Sequence, residues 1–133
     1  TGGRSVMGVV TIYGAGQLGT NVATLLRDRG HHEVRGPFPR QEDQAAIESG
    51  ADLVIIATTS RFRDVSDHIE RAVRAGSNVL VSAEECANPW LVDAKTADRI
   101  DALAREGDVT VMGAGLNPGL IFDALGSPVV PLV

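Results

Sequence analysis

The hydrophobic pattern switches repeatedly between two periods. Val9–Tyr13, Glu33–Gly36, Leu53–Ala57, Asn78–Ala83 and Val109–Met112 are short runs rich in β-branched residues, and helical spacing appears between most of them. Strands alternating with amphipathic helices are expected from such a pattern. Leu18, Val22, Leu25 and Leu26 share one helical face, with Arg27 and Arg29 in the last turn and Gly30 placed to cap it in the left-handed conformation. Pro37 and Pro39 are expected to close the second strand, since proline cannot donate to a sheet ladder. Gln41–Ser49 reads as a short helix with Ala45, Ala46 and Ile47 inward, ended by Gly50. A longer helix from about Phe62 to Ala75 buries Phe62, Val65, Ile69, Ala72 and Val73 and closes at Gly76. Asp93–Glu106 is expected to bury Ala94, Ala97, Ile100, Leu103 and Ala104 and to stop at Gly107. Another apolar helix starts at Leu120–Leu125, is broken by Gly126, and leads into a tail of no assignable period.

Leu53–Ala57 is apolar without alternation, as befits a central parallel strand covered on both faces. The expected fold class is therefore α/β. It is a doubly wound parallel sheet of about five strands, the Rossmann dinucleotide-binding fold, in a single domain spanning residues 1–133. Its ligand cleft should run along the carboxyl ends of the strands.

The candidate chemistry starts where the first strand meets the first helix. Gly14-Ala15-Gly16-Gln17-Leu18-Gly19 spells G-x-G-x-x-G at that junction. Gly14 allows a sharp turn, Gly16 carries no Cβ to obstruct a pyrophosphate, and Gly19 lets the helix lie close to its strand. The amides at the start of the helix then face the phosphates. About 20 residues past the glycines, where a carboxylate would accept ribose hydroxyls, stands Arg40, with no acid before Glu42 and Asp43. An arginine there suits a 2′-phosphate, so NADP is expected, with NAD possible; an ordinary surface arginine is the plain alternative. Thr58, Thr59 and Ser60 end the third strand where such sheets bind ligands, although Ser60 equally suits the N-cap of the next helix. Glu84 and Glu85 follow the fourth strand at the same edge; they fit a general base or an orienting pair, or a solvated acidic turn.

Composition narrows the partners. Apolar residues make up 44% and charged residues 22%, with a net charge of −5 and no basic stripe, which argues for a soluble globular chain and against nucleic acid. No apolar run approaches a membrane span and the amino-terminal stretch is no signal peptide, so a cytoplasmic location is expected. Cys86, the single cysteine, reads as a small buried hydrophobe rather than a reactive thiol. His31, His32 and His68 have no metal-ligand spacing.

Three further stretches narrow the reading. Leu53–Ser60, Asn78–Glu85 with Pro89-Trp90, and Gly113-Ala114-Gly115-Leu116-Asn117-Pro118-Gly119 resemble the cofactor half of the 2,4-diaminopentanoate dehydrogenase group. That group includes native amine dehydrogenases and is itself similar to dihydrodipicolinate reductase. The resemblance implies NAD(P)-dependent hydride transfer between the nicotinamide and an amine-bearing carbon. It places Gly14, Ala15, Gly16, Gln17 and Leu18 on the pyrophosphate, Thr58 and Thr59 along the ribose, Glu84 or Glu85 beside the nicotinamide, and Asn117 at the nicotinamide end. Members of the group continue into a second α+β domain that closes over the substrate and supplies dimer contacts. With that domain missing, the chain is expected to bind dinucleotide but to be doubtful as a catalyst alone, and to self-associate as a homo-oligomer through the uncovered surface. A non-catalytic redox-sensing module and a ligand-free interaction domain are the rival readings.

Overall fold

Residues 8–30, 32–58 and 61–113 are described in this computed structural model. Five strands form one parallel sheet: β1 (Val9–Tyr13), β2 (Glu33–Phe38), β3 (Leu53–Ile56), β4 (Asn78–Val81) and β5 (Val111–Gly113), in the order β2-β1-β3-β4-β5. The helices are α1 (Gln17–Arg29), α2 (Asp43–Ile47), α3 (Phe62–Arg74) and α4 (Ala94–Gly107), with short 3-10 turns at Arg40–Glu42, Glu84–Ala87 and Pro89–Leu91.

Alternation along the strands divides the core in two. Val10, Ile12, Leu53, Ile55, Ala57 and Leu80 pack with Val22, Ala23 and Leu26 of α1. Tyr13, Val54, Ile56, Val79 and Val81 point the other way, onto α2, α3 and α4. With helices on both faces, the sheet is doubly wound as the sequence pattern implies. Because β2 and β3 flank β1 on opposite sides, the connections after β1 and β2 diverge, opening a crevice at the carboxyl ends of β1 and β3.

Several boundaries differ from the sequence reading. Strand β2 continues through Pro37 to Phe38, which pairs with Tyr13 across a register shift. Proline is tolerated there because β2 is an edge strand and the ladder is interrupted at that point. The segment after β2 is not one helix: a 3-10 turn precedes α2, and Ala45 is exposed while Ala46 and Ile47 are buried. Leu25 is 39% exposed and Ala23 takes its place inward. Ala94 is also exposed. Gly30 does cap α1 with φ 71°, its N–H donating to the Leu26 carbonyl. Helix α4, however, runs through Gly107, and the left-handed residue is Asp108 at φ 55°. Asparagine and aspartate tolerate that region better than other side chains. The last strand starts later than the apolar run does, at Val111.

Candidate functional site

The glycine motif folds as the turn between β1 and α1. Gly14 adopts φ 115°, donates its N–H to the Phe38 carbonyl at 2.9 Å, and has no room for a Cβ against the Ala57 carbonyl. A Cβ on Gly19, in the first turn of α1, would collide with the Gly14 carbonyl and reach the Ala57 methyl at 3.5 Å. Both glycines are therefore required by packing between β1, β3 and α1. Gly16 is different. It has φ −78° and ψ −167°, backbone that any residue adopts, and a Cβ there would meet nothing within 4 Å. Ala15, Gly16 and Gln17 are exposed. No side chain caps α1 and its first turn holds no acid, so its leading amides have no side-chain partner among the described residues, beside an exposed Gly16. A glycine with neither a steric nor a conformational need for being glycine, at an uncapped helix start, suits close approach by a bulky anionic group.

The opposite lip of the crevice is the end of β3. The Ala57 N–H donates to the Tyr13 carbonyl at 2.8 Å, and the buried Ser82 hydroxyl donates to the carbonyls of Ile56 and Thr58 at 3.2 and 2.8 Å. These bonds fix Thr58 at the edge of the cleft. Thr59 and Ser60 lie outside the described residues, as does Asn117. Arg61 rather than Ser60 occupies the N-cap of α3, without a side-chain bond of its own.

Glu85 supplies the missing partner: its Oε1 accepts the Phe62 N–H at 2.9 Å, at the start of α3. That carboxylate ties the loop after β4 to the loop after β3 and complements the positive end of the helix. The Glu84 side chain is outside the described set. Cys86, in the same 3-10 turn, is buried in the core beneath α3 and α4, and burial pushes its thiol up to about 11, with the Glu85 charge adding to the effect. It is a packing residue, as its neighbours in sequence suggest.

Between β1, the Arg40 turn and α3 lies a second recess of about 230 Å³, with Tyr13, Arg40, Asp43, Thr58, Asp64 and His68 in its walls. The Tyr13 hydroxyl donates to the Arg40 carbonyl at 3.0 Å, which places Arg40 beside the carboxyl end of β1. Asp43 is drawn to Arg71, whose Nη1 donates to it at 2.8 Å while Nε donates to Glu48 at 2.7 Å. Hydrogen bonds from Arg71 hold the Asp43 carboxyl below its usual range. Arg40, by contrast, makes no ion pair among the described residues. The structure thus brings the glycine turn, Thr58 and Arg40 to one end of the sheet. Tyr13, Asp43 and His68 were not singled out from sequence as site residues. The available signal for His68 was its position three residues after Val65, on the inward face of α3.

Comparison with known proteins agrees with the motif-based resemblance. No family model matches the chain. Over 83 residues, 62% of this chain, it is 45% identical to the 2,4-diaminopentanoate dehydrogenase of Acetoanaerobium sticklandii, and the match covers 24% of that protein. The chain therefore spans about a quarter of the length of the curated relative it matches. A crystal structure of a protein described as an oxidoreductase, from Klebsiella pneumoniae, superposes with a TM-score of 0.51, covering 79% of this chain and 33% of that one at 19% identity. That second likeness is one of fold. The first is a likeness of sequence to a dehydrogenase, and supports an oxidoreductase domain.

Proposed function

We propose that this chain is the NADP(H)-binding domain, with NAD as the possible substitute, of an oxidoreductase acting on CH–NH2 groups. The observation that carries the reading is the open space at Gly16, where the uncapped start of α1 meets the crevice between β1 and β3. The amides of Ala15, Gly16, Gln17 and Leu18 bind the pyrophosphate, with Gly14 and Gly19 shaping the turn, and Thr58, Thr59 and Ser60 line the ribose side. Arg40 pairs with the 2′-phosphate. When bound, the nicotinamide gives or takes a hydride at the amine-bearing carbon of the substrate. The sequence likeness to 2,4-diaminopentanoate dehydrogenase supports a small amine or amino acid as that substrate.

Of the two candidate acids, Glu85 is already engaged on the Phe62 N–H. Its role is to hold the loop, and Glu84 is left to manage the substrate ammonium or its proton, with Asn117 at the nicotinamide end. Glu84→Gln in the complete enzyme should leave dinucleotide affinity unchanged and abolish turnover; unchanged turnover would remove Glu84 from the reaction. A stand-alone, non-catalytic dinucleotide-binding module is the second reading, favoured by the engagement of Glu85 in the fold. In that case cofactor binds and the Glu84 exchange changes nothing measurable. The principal reading also carries self-association as a homo-oligomer, for which the adjacent Trp90 and Leu91, 48% and 83% exposed, offer apolar surface.

A further inference from the structure

The end of β3 sets the width of the crevice at the glycine turn. The Ala57 carbonyl and the Thr58 methyl stand nearest to where a side chain on Gly14 would project, and the Ala57 methyl faces Gly19. On one side this end is held by β1, through the Ala57 N–H. On the other side it has outrun its ladder: Ile56 and Val81 are the last register partners of β3 and β4, and the Thr58 carbonyl lies beyond them. Ser82 reaches it with a side chain. Its backbone N–H donates to the Ile56 carbonyl at 3.0 Å, and its hydroxyl donates to the carbonyls of Ile56 and Thr58. Ser82 is fully buried, so a hydroxyl there needs both acceptors and only the chain leaving β3 offers them. Glu85, further along the same segment, accepts the Phe62 N–H at the start of α3, where the N-cap residue Arg61 supplies no side-chain bond. The chain leaving β3 is thus gripped at Thr58 and again at Phe62, both times from the segment that follows β4.

We propose that Ser82 and Glu85 are positioning residues for the dinucleotide: from the β4 side they hold the β3 lip of the crevice in its binding geometry, so that affinity depends on two hydrogen bonds that do not involve the nucleotide. The inference rests on the dinucleotide reading above. Neither residue attracts the ligand itself. Ser82 is buried and its hydroxyl is committed to two carbonyls, while the Glu85 carboxylate is engaged on Phe62 and its charge opposes that of a phosphate. What the two supply is preorganisation. With Thr58 and the first turn of α3 already fixed, binding does not carry the entropy of ordering them. The coupling is reciprocal: if releasing a tie weakens the nucleotide by some factor, the bound nucleotide disfavours release of that tie by the same factor.

Isothermal titration of NADPH into the wild-type chain and three variants is the test, with urea unfolding of each in parallel. Ser82→Ala and Glu85→Ala should each bind about fivefold more weakly, as the loss of one ordering hydrogen bond implies. Glu85→Gln should bind at least as tightly as wild type, because an amide oxygen still accepts the Phe62 N–H and the opposing charge is gone. A purely structural role would lower the unfolding midpoint of the alanine variants and leave their NADPH affinity unchanged. Should an alanine variant fail to fold, the wild-type protein carries the test through hydrogen exchange: saturating NADPH should slow exchange of the Phe62 amide about fivefold, the factor that reciprocity requires. Folded alanine variants that bind as tightly as wild type, a Glu85→Gln protein as weak as Glu85→Ala, or a Phe62 amide whose exchange NADPH leaves unchanged overturns the inference and leaves the cofactor reading standing. Absence of binding by both NADPH and NADH to the wild-type chain overturns both.

Discussion

A single methyl group distinguishes the roles of the glycines. Gly19→Ala forces a Cβ onto the Gly14 carbonyl, so we expect a loss of about 2 kcal/mol or more in urea unfolding. Gly16→Ala adds the same atoms in open space at an ordinary φ, so the unfolding midpoint should stay within the error of measurement. The spacing of these glycines already assigned Gly14 to the turn, Gly19 to close packing and Gly16 to the open side, and the structure adds the atoms that a Cβ would strike at the first two and the empty space at the third. Cys86 is a second residue whose role was legible, because no cationic residue stands beside it in sequence. Its thiol, pushed up to about 11 by burial, should resist iodoacetamide at pH 8 in the folded protein and react in urea. A thiol protonated more tightly in the folded than in the unfolded state also costs stability as the pH rises from about 9 towards 11. His68 was illegible as a wall of the recess beside Arg40, because only the fold brings Tyr13 of β1 and Thr58, beyond the end of β3, next to a histidine of α3.

At the scale of elements, the helices are fastened by carboxylates. Glu70 of α3 is buried, and both its oxygens accept from Arg99 of α4, at 3.0 and 2.9 Å, with Arg74 3.7 Å away. Glu70→Ala should lower stability by about 1 to 2 kcal/mol, less than a fully buried pair because both arginines are largely exposed. Asp93 caps α4, accepting from the Thr96 N–H and hydroxyl, and these bonds hold its carboxyl below the usual range. Asp43 is held low by Arg71. Both are more acidic folded than unfolded, so their contribution is fully present above the ordinary aspartate value and is lost as the pH falls from there through the lower folded value. The urea midpoint should therefore drop between about pH 5 and 3, and Asp93→Asn should shallow that slope. The three long helices α1, α3 and α4 were legible from period, and most of their inward faces with them, while Leu25 and Ala94 point outward and the segment before α2 forms a 3-10 turn that period did not separate. The ends were less so, because Pro37 is accommodated by an edge strand at a register shift and Asp108 takes the left-handed position that Gly107 was expected to fill. Glu85 as the partner of α3 was also hidden, since nothing in sequence joins it to Phe62, 23 residues earlier.

For the molecule as a whole, the parallel α/β architecture followed from alternating periods, while the strand order that opens a crevice at β1 and β3 needed the coordinates. No helix among the described residues is long and apolar enough to cross a membrane. Self-association should appear in light scattering as a mass that grows with concentration, and Leu91→Glu should reduce it; a constant monomer mass at high concentration would contradict the expected homo-oligomer. The central claim is that dinucleotide phosphates meet the amides around Gly16, and isothermal titration of wild-type protein and Gly16→Ala with NADPH and NADH tests it most directly. We predict saturable binding by wild-type, tighter for NADPH because of Arg40, and a loss of about tenfold or more, roughly 1.4 kcal/mol, in a Gly16→Ala protein of unchanged stability. No heat with either nucleotide at high micromolar concentration, or equal affinity in the two proteins, would contradict it.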